Sequence, residues 1–169
     1  MVIVLMGVTG SGKTTVGRGL ARELGWRFYD GDDFHPAANV EKMSRGVPLD
    51  DDDRRPWLAT LGELIRDCLR RGAGAVLACS ALKESYRACL LIDERVKLVY
   101  LKVDHGLVRG RLDARRGHFM KTPLLDSQFD ALEEPAEESH FDASAPPDEI
   151  VERIRGRLGL WDETTRGER

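Results

Sequence analysis

The chain has 169 residues, 41% apolar and 33% charged, enough for one domain with a real core and too few for two comfortable ones. A net charge of -3 gives no overall attraction to nucleic acid or an anionic membrane, so any bound anion must be held locally. No apolar run approaches the length of a bilayer span, so no membrane partner, no nucleic-acid partner and a cytoplasmic location are expected.

Val2 to Met6, "VIVLM", is nearly continuous in β-branched and aliphatic residues, as in a strand covered on both faces. It runs into Gly7-Val8-Thr9-Gly10-Ser11-Gly12-Lys13-Thr14, the pattern GxxxxGK[ST], and Lys13 to Leu24 then reads as a helix. In that setting the glycines let backbone N–H groups turn toward a phosphate at a helix N-terminus. Lys13 reaches the β- and γ-oxygens and the Thr14 hydroxyl can ligate Mg²⁺. With Thr15 added, these residues are the expected nucleoside triphosphate site.

A short strand, Arg27 to Asp30, leads into "DGDDFHP". In an open parallel sheet the ligand crevice lies beyond the carboxyl ends of the strands, so Asp30 and Asp32 should arrive beside the phosphate loop. Gly31 permits a sharp turn, Asp30 is a candidate for holding a metal-bound water, and Asp32 a candidate proton acceptor for an attacking hydroxyl. A turn with a helix cap is the alternative for both, and Asp33 reads as solvent or cap.

"PLDDDDRRPW" sets four carboxylates against two guanidiniums. A helix is expected to begin within "DDRRP", because Trp57, Leu58, Leu61, Leu64, Ile65, Cys68 and Leu69 form one apolar stripe. Pro56 suits its first turn and the aspartates its N-terminal N–H groups. Arg54 continues the inward stripe and is a candidate for gripping an acidic substrate bidentately; Arg55 belongs at the rim.

Ala75 to Cys79 reads as a strand ending at Ser80, Lys83 to Leu91 as a helix with Lys83 and Arg87 on one face, and Val96 to Val103 as a strand. An Arg-rich helix, Leu107 to Arg116, precedes a loop with Gly117 and a helix opened by Thr122 and Pro123. A solvated basic helix is one reading of it; a lid over residues 110–123 is the expectation, with Arg115 and Arg116 closing on ATP and Arg111 stacking on the base as similar positions do in related kinases. A last helix lies near Asp148 to Leu158, and the tail from Trp161 reads as frayed. Alternating strands and helices mean a mainly parallel sheet, an α/β fold in three layers. Cys68, Cys79 and Cys89 read as small core residues, Met43 and Trp57 as packing. The strings DxxG and NKxD are absent, against a GTP switch, which leaves a small-molecule kinase or a nucleotide-binding regulator without transfer activity.

GVTGSGKTT, DGDDFHPAANVEKMSRGVPLDDDDRRPWL, CSALKESYR and RRGHFMKTPLLDSQFDALEEP, in that order, resemble the P-loop gluconate kinases, or thermoresistant gluconokinases. The resemblance implies a nucleotide-kinase-like fold with a mobile lid, ATP-dependent phosphorylation of D-gluconate at its terminal hydroxyl, Mg²⁺, and a homodimer. It casts Lys13, Asp32 and Arg116 as catalytic, and Asp32, His35, Arg54, Ser80, Lys83 and Arg87 as substrate-binding. Thr14 and Asp30 become the metal-binding pair. Asn39 is a further polar group for hydroxyls. A shikimate kinase shares the phosphate loop and the DxD placement, but has a triple-glycine turn where this chain has "CSALK".

Overall fold

The computed structural model of the chain describes residues 1–114 and 122–161. Strands β1 (Val2–Met6), β2 (Arg27–Asp30), β3 (Ala75–Ala78), β4 (Val96–Lys102) and β5 (His140–Asp142) form one parallel sheet in the order β2-β3-β1-β4-β5. The helices are α1 (Lys13–Leu24), α2 (Ala37–Ser44), α3 (Asp51–Arg70), α4 (Glu84–Leu90), α5 (His105–Ala114), α6 (Thr122–Asp130) and α7 (Pro147–Arg157). Along β1 the side chains alternate between two cores. Ile3 and Leu5 pack with Val16 and Leu20 of α1 and Val151 and Ile154 of α7. Val2, Val4 and Met6 pack with Trp57, Leu61 and Ile65 of α3 and Leu90 of α4. The expected three-layer α/β/α fold is what these two cores build.

Strand register places the chemistry. Ala78 pairs with Leu5 on one side and Asp30 on the other, so the phosphate loop, the acidic turn and Ser80 leave the sheet at one edge. β1 lies between β3 and β4, and its connection crosses β3 to reach β2, which opens the crevice at that edge.

Two elements differ from expectation. α3 begins at Asp51, because Asp50 and Asp53 form a capping box: Asp53 N–H donates to Asp50 Oδ1 at 2.8 Å and Asp50 N–H to Asp53 Oδ2 at 3.0 Å. Pro56 therefore sits inside the helix and not in its first turn. α2, with no strong apolar stripe, was not expected; it is tied to α3 by Lys42, whose ammonium meets Asp53 at 2.6 Å. That pair lowers the Asp53 pKa and raises that of Lys42. Asp53→Ala, which removes the reciprocal half of the box and the tie to Lys42, is expected to lower the urea midpoint of unfolding. An unchanged urea midpoint would show that the box carries nothing. Cys68 and Cys79 are buried as expected, whereas Cys89 is exposed on the outer face of α4 and Met43 is 42% exposed.

Candidate active site

The phosphate loop is built around its own lysine. Lys13 Nζ donates to the carbonyls of Gly7 at 2.8 Å and Val8 at 3.0 Å, so the ammonium spans the mouth of the loop. Gly12 adopts φ 99°, a left-handed conformation that favours glycine, and hands the chain to α1. Gly7 N–H reaches Ser80 O at 3.4 Å, which ties the loop to the end of β3. Burial lowers the Lys13 pKa, while Asp32, Cys79 and Asp30 act in the opposite direction. The lysine thus faces the acidic turn across the crevice.

That turn has the expected form. Asp30 ends β2, and a 3₁₀ turn over Gly31–Phe34 carries Asp32 back to the same side, its N–H on Asp30 Oδ1 at 3.3 Å. A Cβ on Gly31 would lie 2.8 Å from Ala78 O, so the turn seats against β3 only with glycine there. Asp30 Oδ2 accepts from Thr14 Oγ1 at 3.1 Å. A hydroxyl beside a carboxylate is a donor set that suits a hard cation such as Mg²⁺. Among the described residues no three His, Cys, Asp or Glu converge as a self-sufficient metal site. Asp32 has its pKa raised, chiefly by burial and then by the charge of Asp30, with Lys13 opposing.

Trp57 supports this turn from below. Its indole N–H donates to Gly31 O at 2.7 Å and its ring stacks on His35 at 4.3 Å. The expectation of plain packing for Trp57 therefore omitted a hydrogen bond that positions the acidic turn. His35 has a lowered pKa, mainly from burial, and Nδ1 lies 3.4 Å from the buried Asn39 amide, which also donates to Asp53 O at 2.8 Å.

On the acceptor side a cleft of about 610 Å³ runs past Leu49, Asp51, Arg54, Lys83, Ser127 and Ala131. The three cations expected at the substrate occupy different situations, Arg54 and Lys83 lining this cleft and Arg87 lying buried outside its lining. Lys83 is paired with Asp51 at 2.8 Å, and Asp51 also accepts from Tyr86 OH. Arg87, expected to bind substrate from a helix face shared with Lys83, is buried and donates to the carbonyls of Ala81 at 3.2 Å and Leu82 at 3.0 Å. Ala81 sits at φ 44°, so Arg87 braces a strained turn. Arg54 lies over the Tyr86 ring at 5.7 Å, and Nη1 makes both of its hydrogen bonds, to the carbonyls of Leu49 and Asp50.

Arg111 Nη2 donates to Ala143 O at 2.7 Å in the loop after β5. Arg115 and Arg116 lie outside the described residues. Gln128 and Glu133, absent from the expected site, both enter it from α6 and its C-terminal turn. Their only sequence signal is the string "SQFDALEEP".

A parallel sheet with a lysine-bearing phosphate loop and an acidic turn at the same edge defines a P-loop phosphotransferase. The chain matches the shikimate kinase family model over residues 9–156. It is 47% identical to the gluconokinase of Gluconobacter oxydans, over 90% of this chain and 88% of that protein. It is also 45% identical to the thermoresistant gluconokinase of Escherichia coli, over 79% and 77%. A solved gluconokinase structure from Sinorhizobium meliloti superposes with TM-score 0.83 at 40% identity, covering 96% of this chain and 94% of that one. The chain belongs to the gluconokinase family, on the architecture it shares with shikimate kinase, and is a kinase.

Proposed function

We propose that the protein transfers the γ-phosphoryl group of ATP to the terminal hydroxyl of D-gluconate, giving 6-phospho-D-gluconate and ADP. The observation that carries this reading is the facing of Lys13 and Asp32 across one crevice: a cation for the transferring phosphoryl beside a carboxylate with a raised pKa. The relatives named gluconokinase supply the acceptor. In this reading residues 7–15 bind the nucleotide, and Asp32 orients and deprotonates the sugar hydroxyl. Thr14 and Asp30 would hold Mg²⁺, which would neutralise charge on the phosphate oxygens. His35, Ser80 and Lys83 border the acceptor, Arg87 acts indirectly by bracing its turn, and Arg111 belongs to the nucleotide side. A single domain with a lid over 110–123 carrying Arg115 and Arg116, a homodimer and a cytoplasmic location are parts of the same proposal.

Gluconate carries one carboxylate, and Arg54 is the cation best placed for it. The Lys83 charge is met by Asp51 and the Arg87 donors by backbone, whereas Arg54 keeps its remaining nitrogens for a bidentate grip. Arg54→Lys is expected to raise the gluconate KM about 10-fold or more with kcat and the ATP KM little changed, since an ammonium lacks the planar fork. Equal efficiency of the parent protein toward gluconate and the uncharged polyol sorbitol would exclude a carboxylate-binding arginine. ADP release with gluconate, shikimate, AMP or no acceptor tests the substrate directly; turnover favouring shikimate or AMP would overturn the reading.

A further inference from the structure

Thr9, at the tip of the phosphate loop, is held by a residue 119 positions away. Its backbone N–H donates to Gln128 Oε1 at 2.7 Å, and its hydroxyl accepts from Gln128 Nε2 at 3.1 Å. Reversing the amide would set an NH₂ group against the N–H, so the pairing also determines which way Gln128 points. Thr9 directly follows Val8, whose carbonyl holds Lys13 Nζ at 3.0 Å. A shift of the loop tip therefore moves one of the two acceptors that aim the lysine.

The other end of the same segment is also tied down. Glu133 N–H donates to Leu82 O at 2.9 Å, and its carboxylate accepts from Glu84 N–H at 2.5 Å at the start of α4. From Gln128 to Glu133, one helix end and its turn bridge the phosphate loop and the acceptor-side loop. Ser127 and Ala131 line the cleft that also runs past Leu49, Arg54 and Lys83.

We propose that Gln128 is a positioning residue for phosphoryl transfer, setting the phosphate-loop tip against the acceptor side through its two bonds to Thr9. This rests on the kinase reading above. In-line transfer depends on donor and acceptor being held to within about an ångström, where a displacement costs on the order of 100-fold in rate. ADP, gripped by the remainder of the loop, should be affected little.

The test compares Gln128→Met, Thr9→Val and the double variant by ADP release with ATP and gluconate. Calorimetry with ADP and a non-hydrolysable ATP analogue, and thermal melting, accompany it. Gln128→Met is expected to lower kcat roughly 10- to 100-fold with ADP affinity within about threefold. Thr9→Val, which keeps the N–H, should cost less, and the double variant should be no slower than Gln128→Met, because both cut one link. A lowered melting temperature with kcat unchanged would reduce the clasp to a structural tie. Losses that multiply in the double variant would show that Gln128 acts independently of Thr9. If the parent protein does not turn over gluconate, the substrate reading fails by itself. The nucleotide arm then decides: the ATP analogue should lose about fivefold or more relative to ADP in Gln128→Met, and equal losses would overturn the proposal.

Discussion

Lys13→Ala is expected to lower turnover by about three orders of magnitude or more while the protein stays folded. The ammonium is the group that the loop carbonyls of Gly7 and Val8 aim across the crevice. Its burial costs solvation, as its lowered pKa records, and the carboxylates of Asp30 and Asp32 oppose that cost. A charge placed in this way stabilises negative charge as it develops on the transferring group, without reorganisation at the moment of reaction. Removing it leaves two loop carbonyls to water and relieves a desolvated cation, so the two stability effects oppose each other and the melting temperature should move little. Turnover by coupled ADP release, with a melting curve as control, checks both halves. Near-normal turnover in a folded Lys13→Ala protein would sink the role.

The phosphate loop was legible because its chemistry is contiguous. Eight successive residues between a strand and a helix determine where the N–H groups and the lysine go, and register needs only to bring Asp30 alongside. The acidic turn was legible for a similar reason, since Asp30, Gly31 and Asp32 act within one 3₁₀ turn. What escaped is what depends on distant partners. Lys83 and Asp51 are 32 residues apart, and nothing in either neighbourhood says that they neutralise each other. Arg87 has the spacing of a surface residue, but the left-handed Ala81 it braces leaves no mark in composition. α2 was missed because Val40 and Met43 are exposed, which removes the apolar periodicity that reveals a helix. Gln128 fell within a string used for resemblance, and only packing shows that its amide reaches Thr9.

Asp32→Asn is expected to lower kcat by about 10²- to 10⁴-fold with the ATP KM nearly unchanged, the range for loss of a positioned proton acceptor. The pH dependence gives the sharper test. Burial first, and the charge of Asp30 second, raise the Asp32 pKa, with Lys13 and His35 opposing. A proton acceptor must be ionised, so parent turnover should fall as pH drops through that raised value, and this acid limb should vanish in Asp32→Asn. The stability consequence has the opposite sign. A folded pKa above the unfolded one means that the native state binds more protons between the two values, so the stability of the free protein falls as pH rises through that window. Asparagine carries no such cost, and the variant should be at least as stable as the parent near neutral pH. Asp32 is exposed to solvent although protein atoms crowd one side of its carboxylate, so solvent screening keeps this gain small. A catalytic loss accompanied by equal or higher stability separates a chemical role from a structural one. If ATP binding collapses while turnover at saturating ATP is spared, Asp32 belongs with Thr14 and Asp30 at the metal; if the acid limb persists in Asp32→Asn, another group accepts the proton.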